Sequence, residues 1–346
     1  MSRAAPFTIG TETIAAGERA LVHLPIASLY SHDAPLTLPV YVIHGRRPGP
    51  VMFVSAAIHG DEINGVDIVR RLLRQRTMRN LAGTLLAIPV VNGFGMLQQS
   101  RYLPDRRDLN RSFPGSATGS LAARLANIFV TEIVARCQYG VDLHTGSSHR
   151  INLPQVRANL DDEETLRLAN AFGVPVIIHS TTRDGSLREI AMEQGIKMLL
   201  FEAGEALRFS ELAVRVGLRG ILQLMRHVAM LPASRSRRKL VDPFIARSSS
   251  WVRAPRSGVL DMRVHLGAKV GVGDVLARVY DPFNLFEDEG ADVVGEKEGI
   301  IVGMTQNPLV HEGDAIVHVA RFKAAENVAE EVGAAYQEVL EAPRLI

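Results

Sequence analysis

Residues 50–73 read PVMFVSAAIHGDEINGVDIVRRLL, and this stretch decides the fold of the chain. The apolar run from Val51 to Ala57 predicts a buried strand. After Glu62 the apolar residues recur at helical spacing, which predicts an amphipathic helix. The polar sequence His59-Gly60-Asp61-Glu62 therefore lies on the turn from a strand to a helix. An imidazole and a carboxylate three residues apart at such a turn form a candidate zinc clamp.

Buried strand patterns recur along the chain and alternate with helical patterns. This alternation predicts an α/β catalytic domain, with a mostly parallel sheet flanked by helices, over residues 46–232. Residues 1–45 show short apolar runs broken by Gly, Pro, Asp and Ser, which predicts a β-rich lead-in. The further strands are predicted at Thr84–Val90, Tyr139–Leu143, Val174–His179 and Lys197–Phe201.

His144 is a candidate third metal ligand because it ends the apolar pattern Val141-Asp142-Leu143. A catalytic zinc ion commonly takes three protein ligands and one water. Since ligands of α/β folds gather at the carboxyl ends of parallel strands, we expect His59, Glu62 and His144 to converge on one zinc ion per chain. A structural histidine is the alternative. Asp142 and Asp61 are either acceptors for a ligand imidazole or surface acids.

Glu202 ends another apolar strand pattern, in Leu200-Phe201-Glu202-Ala203-Gly204. A carboxylate beside a metal-bound water can take its proton during attack on a carbonyl and return that proton to the leaving amine. Glu202 is therefore the candidate general base. A salt-bridged acid at a strand end is the alternative.

The segment from Ser100 to Gly115 is dense in arginines and turn residues. Arginine suits a substrate carboxylate or an oxyanion because its planar fork donates two hydrogen bonds at once. Composition does not separate the four candidates from one another or from solvated side chains. They are Arg101, Arg106, Arg107 and Arg111.

Two further polar clusters are candidates for substrate recognition or for solvated loops. The first is interpreted as a loop after His144. The second precedes a helical pattern. Their members are Arg150, Asn152, Gln155 and Arg157, and Arg183, Asp184 and Arg188.

Composition excludes several classes of protein. The 346 residues have a formal net charge of +2 and 22% charged residues, which does not indicate nucleic-acid binding. No segment approaches the apolar length needed to span a bilayer, and no signal-type segment begins the chain. The single cysteine, Cys137, excludes a cysteine zinc cluster. We expect a cytoplasmic protein that acts on small molecules and does not bind membranes.

The remainder of the chain is predicted to form a separate module. Residues 233–250 are polar and basic and indicate a connection between domains. Residues 251–322 contain a weak repeat of Gly-Asp turns, which predicts a small β-barrel or β-sandwich. Residues 323–346 show helical spacing and predict a terminal amphipathic helix that packs on this barrel or on another subunit of a homo-oligomer.

The motifs His59-Gly60-Asp61-Glu62, Arg101, Asp108-Leu109-Asn110-Arg111, Asp142-Leu143-His144 and Glu202-Ala203-Gly204 occur in the order seen in the succinylglutamate desuccinylase/aspartoacylase family. The resemblance covers about Val51 to Leu231 and implies a zinc carboxypeptidase-like fold. By this resemblance His59, Glu62 and His144 bind zinc, and Glu202 is the general base and acid. It also implies that Arg101 stabilises the oxyanion, with Arg106 and Arg107 as competitors, and that Asn110 and Arg111 bind the substrate.

The carboxy-terminal module resembles the biotinyl/lipoyl-type domain that members of this family carry. No lysine stands in the hairpin where carrier domains are modified, so a carrier role is disfavoured. We expect the module to cover the zinc crevice and to contribute substrate contacts.

The sequence is consistent with three functions. The first is a zinc amidohydrolase that removes an N-acyl group from a small amino acid or amine. The second is an exopeptidase acting on short peptides or glutamate-type amide linkages. The third is a non-enzymatic binding protein on a hydrolase fold, which the retained ligands and base disfavour.

Overall fold

The computed structural model describes residues 2–28, 35–147, 149–233, 243–284, 286, 288–322 and 325–342. Residues 234–242, half of the predicted basic connection, lie outside these residues.

Four strands occupy the amino-terminal segment. The first two form a short hairpin of their own, and the other two are antiparallel partners in the main sheet. They are β1 (Phe7–Ile9), β2 (Glu12–Ile14), β3 (Arg19–Ser28) and β4 (Pro35–His44).

The central segment alternates strands and helices, as predicted. Its elements are β5 (Arg47–Ala56), α1 (Asn64–Leu73), β6 (Ala82–Ile88), α2 (Gly93–Leu97), α3 (Leu121–Ile128), β7 (Tyr139–Gly146), β8 (Arg150–Ala158), α4 (Glu163–Phe172), β9 (Val176–His179), α5 (Leu187–Glu193), β10 (Lys197–Glu205) and α6 (Glu211–His227).

The carboxy-terminal segment contains nine short strands and a helix. They are β11 (Phe244–Ala246), β12 (Ser248–Arg253), β13 (Gly258–Met262), β14 (Lys269–Val270), β15 (Val275–Tyr280), β16 (Ala291–Val294), β17 (Gly299–Thr305), β18 (Leu309–Val310), β19 (Ala315–Arg321) and α7 (Ala325–Glu341).

One mixed sheet runs through the molecule in the order β12-β19-β17-β8-β10-β7-β5-β6-β4-β3. The four central strands β6, β5, β7 and β10 are mutually parallel, which is the arrangement predicted for the catalytic core. Antiparallel strands extend this core on both sides. The carboxyl ends of β5, β7 and β10 therefore meet at one edge of the sheet.

Helices cover both faces of this sheet. Apolar side chains of α1, α4 and α6 pack on one face, in a core that contains Leu72, Phe172 and Phe201. Side chains of α3 and α5 pack on the other face around Phe53 and Phe129. Because the parallel strands are buried on both faces, their sequences are continuous apolar runs.

The carboxy-terminal strands build a β-sandwich that shares a sheet with the catalytic core. One layer is the four-stranded sheet β16-β15-β13-β18, and the other consists of β12, β19, β17 and β14 at the end of the main sheet. Val270, Leu276 and Ile301 lie in the core between the layers. Strand β17 pairs directly with β8, so hydrogen bonds of the main chain join the module to the catalytic region.

Helix α7 packs within the same chain, on the core shared by α6 and β17. Val328, Val332 and Tyr336 of this helix are buried there, and the Tyr336 hydroxyl donates a hydrogen bond to the Pro154 carbonyl. In the described part of the chain no helix is both long and apolar enough to cross a membrane.

Candidate active site

The candidate site residues lie where the central strands end. His59 and Glu62 follow β5 on the turn that leads into α1, and His144 and Glu202 lie near the ends of β7 and β10. His144 and Glu202 are register partners on these neighbouring parallel strands. Partners in register project their side chains from the same face of a sheet. The topology thus brings all four side chains to one edge of the sheet.

His59, Glu62 and His144 form a compact buried cluster. Nδ1 of His59 lies 2.8 Å from Oε1 of Glu62, and Nδ1 of His144 lies 2.9 Å from Oε2. One potential ligand atom from each residue can be chosen so that all lie within 4.8 Å of one another. All three side chains are nearly inaccessible to solvent.

The donor set of this cluster fits a catalytic zinc ion. Two imidazoles and one carboxylate are a common zinc set, and both Nδ1 atoms face the shared carboxylate. Nε2 of His144 lies 2.6 Å from Oδ2 of Asp142. Nε2 of His59 lies 3.3 Å from Oδ1 of Asp108 and is buried without a well-formed hydrogen bond. A carboxylate beside the second nitrogen of each ring is typical of metal-binding histidines.

Electrostatics couple the three residues closely. Burial acts to raise the pKa of Glu62, but the charges of His59 and His144 and their hydrogen bonds hold that pKa well below its ordinary value. Burial acts to lower the pKa of His144, whereas Asp142 and Glu62 raise it well above the ordinary value. The three residues therefore favour positive charge beside an ionised Glu62 carboxylate.

The backbone fixes the turn that carries His59 and Glu62. Ala57 adopts a left-handed conformation with φ of 50° at the end of β5, an uncommon conformation for a residue with a side chain. A Cβ at Gly60 would lie 1.9 Å from the Gly95 carbonyl carbon, so only glycine fits there. The Thr145 amide donates a 2.9 Å hydrogen bond to Oε2 of Glu62. These features explain the sequence His-Gly-Asp-Glu at this turn.

The two predicted partners for the ligand histidines have different surroundings. Asp142 is buried, contacts His144 and accepts a 2.7 Å hydrogen bond from the Ser55 hydroxyl. Oδ1 of Asp61 is buried without a hydrogen-bond partner among the described residues. Burial, together with the charge of Glu62, raises the pKa of Asp61.

Glu202 lines the cavity that contains the cluster. The Asn152 amide nitrogen donates a hydrogen bond to Oε2 of Glu202, and the Arg157 Nε atom lies 3.8 Å from Oε1. The Glu202 side chain is 17% exposed, so its carboxylate is accessible from the cavity. A bound substrate can therefore reach this carboxylate.

The Ser100–Gly115 segment places Arg101, Asn110 and Arg111 at the same cavity, and Arg106 and Arg107 are not among its lining residues. Nε and Nη2 of Arg101 donate hydrogen bonds of 3.1 and 2.8 Å to Oδ2 of Asp108, and Nη1 donates a 3.3 Å bond to Oε1 of Glu62. Arg101 is thereby held against the cluster.

Asn110 and Arg111 differ in exposure. Asn110 is buried, and its Oδ1 accepts a 2.8 Å hydrogen bond from the Leu187 amide. Arg111 is exposed at the cavity, and burial of part of its side chain lowers its pKa. Asn110 is therefore fixed between two elements. Arg111 lines the cavity, and its Nη1 donates a hydrogen bond to the Asn110 carbonyl.

The cluster predicted to be a loop after His144 is a strand, β8. Polar Asn152, Gln155 and Arg157 face one side, while Leu153 and Val156 enter the core on the other side. Simple alternation does not account for this, because Asn152 and Gln155 are three residues apart. The register between β8 and β10 shifts between them, so β8 has one extra residue there and its polar residues return to the same side.

The cavity has a volume of about 260 Å³ and a strongly cationic lining. Six arginines face three carboxylates, those of Glu62, Asp142 and Glu202. The arginines are Arg101, Arg111, Arg150, Arg157, Arg183 and Arg188.

Two residues near this cavity, Asp108 and Trp251, were not predicted from the sequence to have a role. Asp108 lies beside both His59 and Arg101. Its position in the Asp-Leu-Asn-Arg motif is the sequence feature from which a role could have been predicted. Trp251 lines the cavity from the carboxy-terminal strand β12. The only sequence feature that distinguishes Trp251 is that it is the single tryptophan of the chain.

Residues 48–228 match the model of the succinylglutamate desuccinylase/aspartoacylase catalytic domain. The chain belongs to this family, which confirms the resemblance seen in the sequence. Family membership makes it a hydrolase of the deacylase class, acting on amides.

Individual relatives extend the similarity beyond the catalytic domain. The chain is 27% identical over 316 residues to an N-alpha-acetyl-L-2,4-diaminobutyric acid deacetylase from Halomonas elongata, covering 88% of this chain and 91% of that protein. A product-bound ectoine utilization protein from Ruegeria pomeroyi has a similar fold, with a TM-score of 0.80, 24% identity and coverage of 91% and 98%. A succinylglutamate desuccinylase/aspartoacylase from Rhodobacter sphaeroides gives a TM-score of 0.78, 24% identity and coverage of 88% and 96%.

Proposed function

We propose that the protein is a zinc-dependent deacylase that hydrolyses the amide bond of a small N-acyl amino acid or amine. The observation that carries the proposal is the convergence of His59, Glu62 and His144 in one cavity with Glu202. Family membership and the deacetylase relative support it. We assign His59, Glu62 and His144 as the ligands of one zinc ion.

His59, Glu62 and His144 would hold the zinc ion, which would make a water molecule more acidic and polarise the scissile carbonyl. Glu202 takes a proton from the attacking water and gives it to the amine nitrogen as the C–N bond breaks. Asn152 orients the Glu202 carboxylate through its hydrogen bond to Oε2. This division of roles requires Glu202 to act in both proton transfers.

The arginines of the Ser100–Gly115 segment complete the proposed site. Arg101 stabilises negative charge that develops on the carbonyl oxygen, because its guanidinium is already fixed by Asp108 and Glu62. Arg111, which is exposed at the cavity, and the neighbouring Asn110 bind the substrate carboxylate or carbonyl.

The cavity volume favours an acylated amino acid over a peptide. About 260 Å³ lies just below the usual range for ligand pockets, so the cavity suits a compact substrate. N-acetyl amino acids, including N-acetyl-diaminobutyrate, are therefore the first substrates to test against short peptides. Preference for peptides would favour the exopeptidase function.

The test is hydrolysis by wild-type protein and Glu202→Gln at equal zinc occupancy. We expect Glu202→Gln to keep its zinc and to lose at least about a hundredfold in kcat, the usual contribution of a general base. Arg107→Ala is the matched control because Arg107 is 64% exposed and is not among the residues lining the cavity. Full activity in Glu202→Gln would refute the assigned base.

A further inference from the structure

The cavity contains an arginine whose hydrogen-bonding capacity is unused. The guanidinium of Arg150, on β8, makes no hydrogen bond to the described residues, and no described carboxylate lies within ion-pair distance of it. Its Nε atom is buried without a partner. The Nη atoms are not among the buried unpartnered atoms, and Arg150 lines the cavity, so a ligand carboxylate is the natural partner for this end of the guanidinium.

Trp251 holds this arginine in place. The Arg150 Cζ atom lies 5.4 Å from the centroid of the Trp251 ring, within the range of a cation–π interaction. The Trp251 ring itself stacks on His318, with centroids 4.6 Å apart and an interplanar angle of 8°. His318 is buried, and burial with the charges of Arg157 and Arg183 lowers its pKa to about 3. The indole is therefore supported by a neutral imidazole.

Strand register explains how a carboxy-terminal residue reaches the cavity. Trp251 pairs with His318, His318 with Gly303, and Gly303 with Asn152 of β8. Asn152 in turn binds Glu202. Strand β12 lies beyond β8 from the strands that carry the cluster, so Trp251 approaches from the side of the cavity opposite His144.

The neighbouring charges at this side are also cationic. Burial and the charge of Arg157 lower the pKa of Arg188 to about 10, and its Nη1 atom is buried without a partner. Arg157 has a loose 3.8 Å contact with Glu202. Nη2 of Arg188 donates hydrogen bonds to Ser180 and Thr181, so this guanidinium is held in place. A cationic substrate group would meet repulsion from these arginines, whereas a carboxylate would be attracted by them.

We propose that Trp251 is a specificity-determining residue that positions Arg150, and that Arg150 selects substrates with a carboxylate remote from the scissile amide. This inference rests on the proposed deacylase function for its substrate class. Strand β12, which carries Trp251, thus takes a direct part in the choice of substrate.

Binding is the first test, because it needs no turnover. Trp251 is the only tryptophan, so the intrinsic fluorescence of the full chain reports on this side of the cavity. We expect N-acetylglutamate to bind about tenfold more tightly than N-acetylglutamine, or N-succinylglycine more tightly than its terminal amide. The two matched pairs distinguish a carboxylate on the amine half from one on the acyl half. Equal affinity within both pairs would overturn the proposal, even if the protein hydrolyses amides.

Variants then distinguish a loss of Arg150 positioning from a loss of folding. Arg150→Ala should abolish the preference for the carboxylate, whereas Arg107→Ala should keep it. In kinetic assays Trp251→Leu should raise KM for the carboxylate substrate about fivefold with kcat nearly unchanged, and Trp251→Phe should retain most of the preference because its ring also attracts a cation. Preference retained in Arg150→Ala would refute the proposal. If Trp251→Leu does not fold, Arg150→Ala and Trp251→Phe still decide it.

Discussion

The partner of each ligand histidine matters for the proposed zinc site as much as the ligands themselves. His144 lies between Glu62 and Asp142, and Asp142 is in turn fixed by Ser55. A carboxylate in this position orients the imidazole and increases its basicity as a metal ligand. Asp142 is therefore a positioning residue for the proposed zinc ion.

Asp142→Asn should weaken zinc affinity by about 10- to 100-fold, the usual cost of losing such a partner. The measurement is competition with a chromophoric chelator at fixed pH. Asp61→Asn is the control, because Asp61 lies in the turn that carries His59 and Glu62 and its Oδ1 accepts no hydrogen bond from the described residues. Equal zinc affinity in the two variants would contradict the role of Asp142.

At the element scale, ion pairs join helices α1 and α6 behind the site. Arg71 of α1 donates hydrogen bonds of 3.0 and 2.7 Å to Glu211, and Arg215 donates a 2.7 Å bond to the same carboxylate. Hydrogen bonds from Arg71, which outweigh the opposing effect of burial, lower the pKa of Glu211 to about 2. Because α1 begins just after Glu62, this contact helps to fix the helix that follows the metal-binding turn.

Glu211→Gln should lower stability at pH 7 by on the order of 1 kcal/mol or less, as expected for a partly exposed network. A carboxyl with a lowered pKa stabilises the fold above its ordinary pKa of 4.5 and loses this effect as pH falls toward about 2. The difference in urea midpoint between variant and wild type should therefore shrink from pH 6 to pH 3.

Glu163→Gln provides the matched control for this experiment. Glu163 also begins a helix with an arginine four residues later, but it is 88% exposed and has only a 3.8 Å contact with Arg167. We expect little change in its urea midpoint at any pH. A difference for Glu211→Gln that is independent of pH would contradict the electrostatic origin.

At the scale of the whole molecule, the carboxy-terminal strands belong to the structure of the catalytic region. Ile300 and Val302 of β17, and Val328 and Val332 of α7, lie in the same core as α1 and α6. Burial of each such side chain contributes about 2 kcal/mol, so these four together contribute on the order of 8 kcal/mol. The net stability of a domain is only about 5–15 kcal/mol, so the loss of these contacts is a large perturbation.

A fragment ending at residue 232 should therefore fail to fold cooperatively. It would lose these core side chains, and β8 would lose β17 as a partner. Thermal unfolding followed by near-ultraviolet circular dichroism tests this expectation, with the full chain as control. A cooperative transition in the fragment would instead support the predicted domain boundary near residue 232.

The sequence predicts local features of this molecule better than its non-local ones. The turn carrying His59 and Glu62 and the parallel strands ending in His144 and Glu202 follow from apolar runs and their flanking polar residues. The pairing of β17 with β8 does not, because register depends on contacts between segments about 150 residues apart. Trp251 could not be placed at the cavity for the same reason.

The proposed role of zinc can be tested by measuring hydrolysis as a function of the zinc bound per chain. Protein stripped of metal by a chelator should be inactive on the best N-acyl substrate, and activity should return in proportion to added zinc up to one ion per chain. Alanine at His59 or His144 should abolish this recovery. Full hydrolysis by the metal-free protein, or recovery that does not depend on these two histidines, would contradict the account.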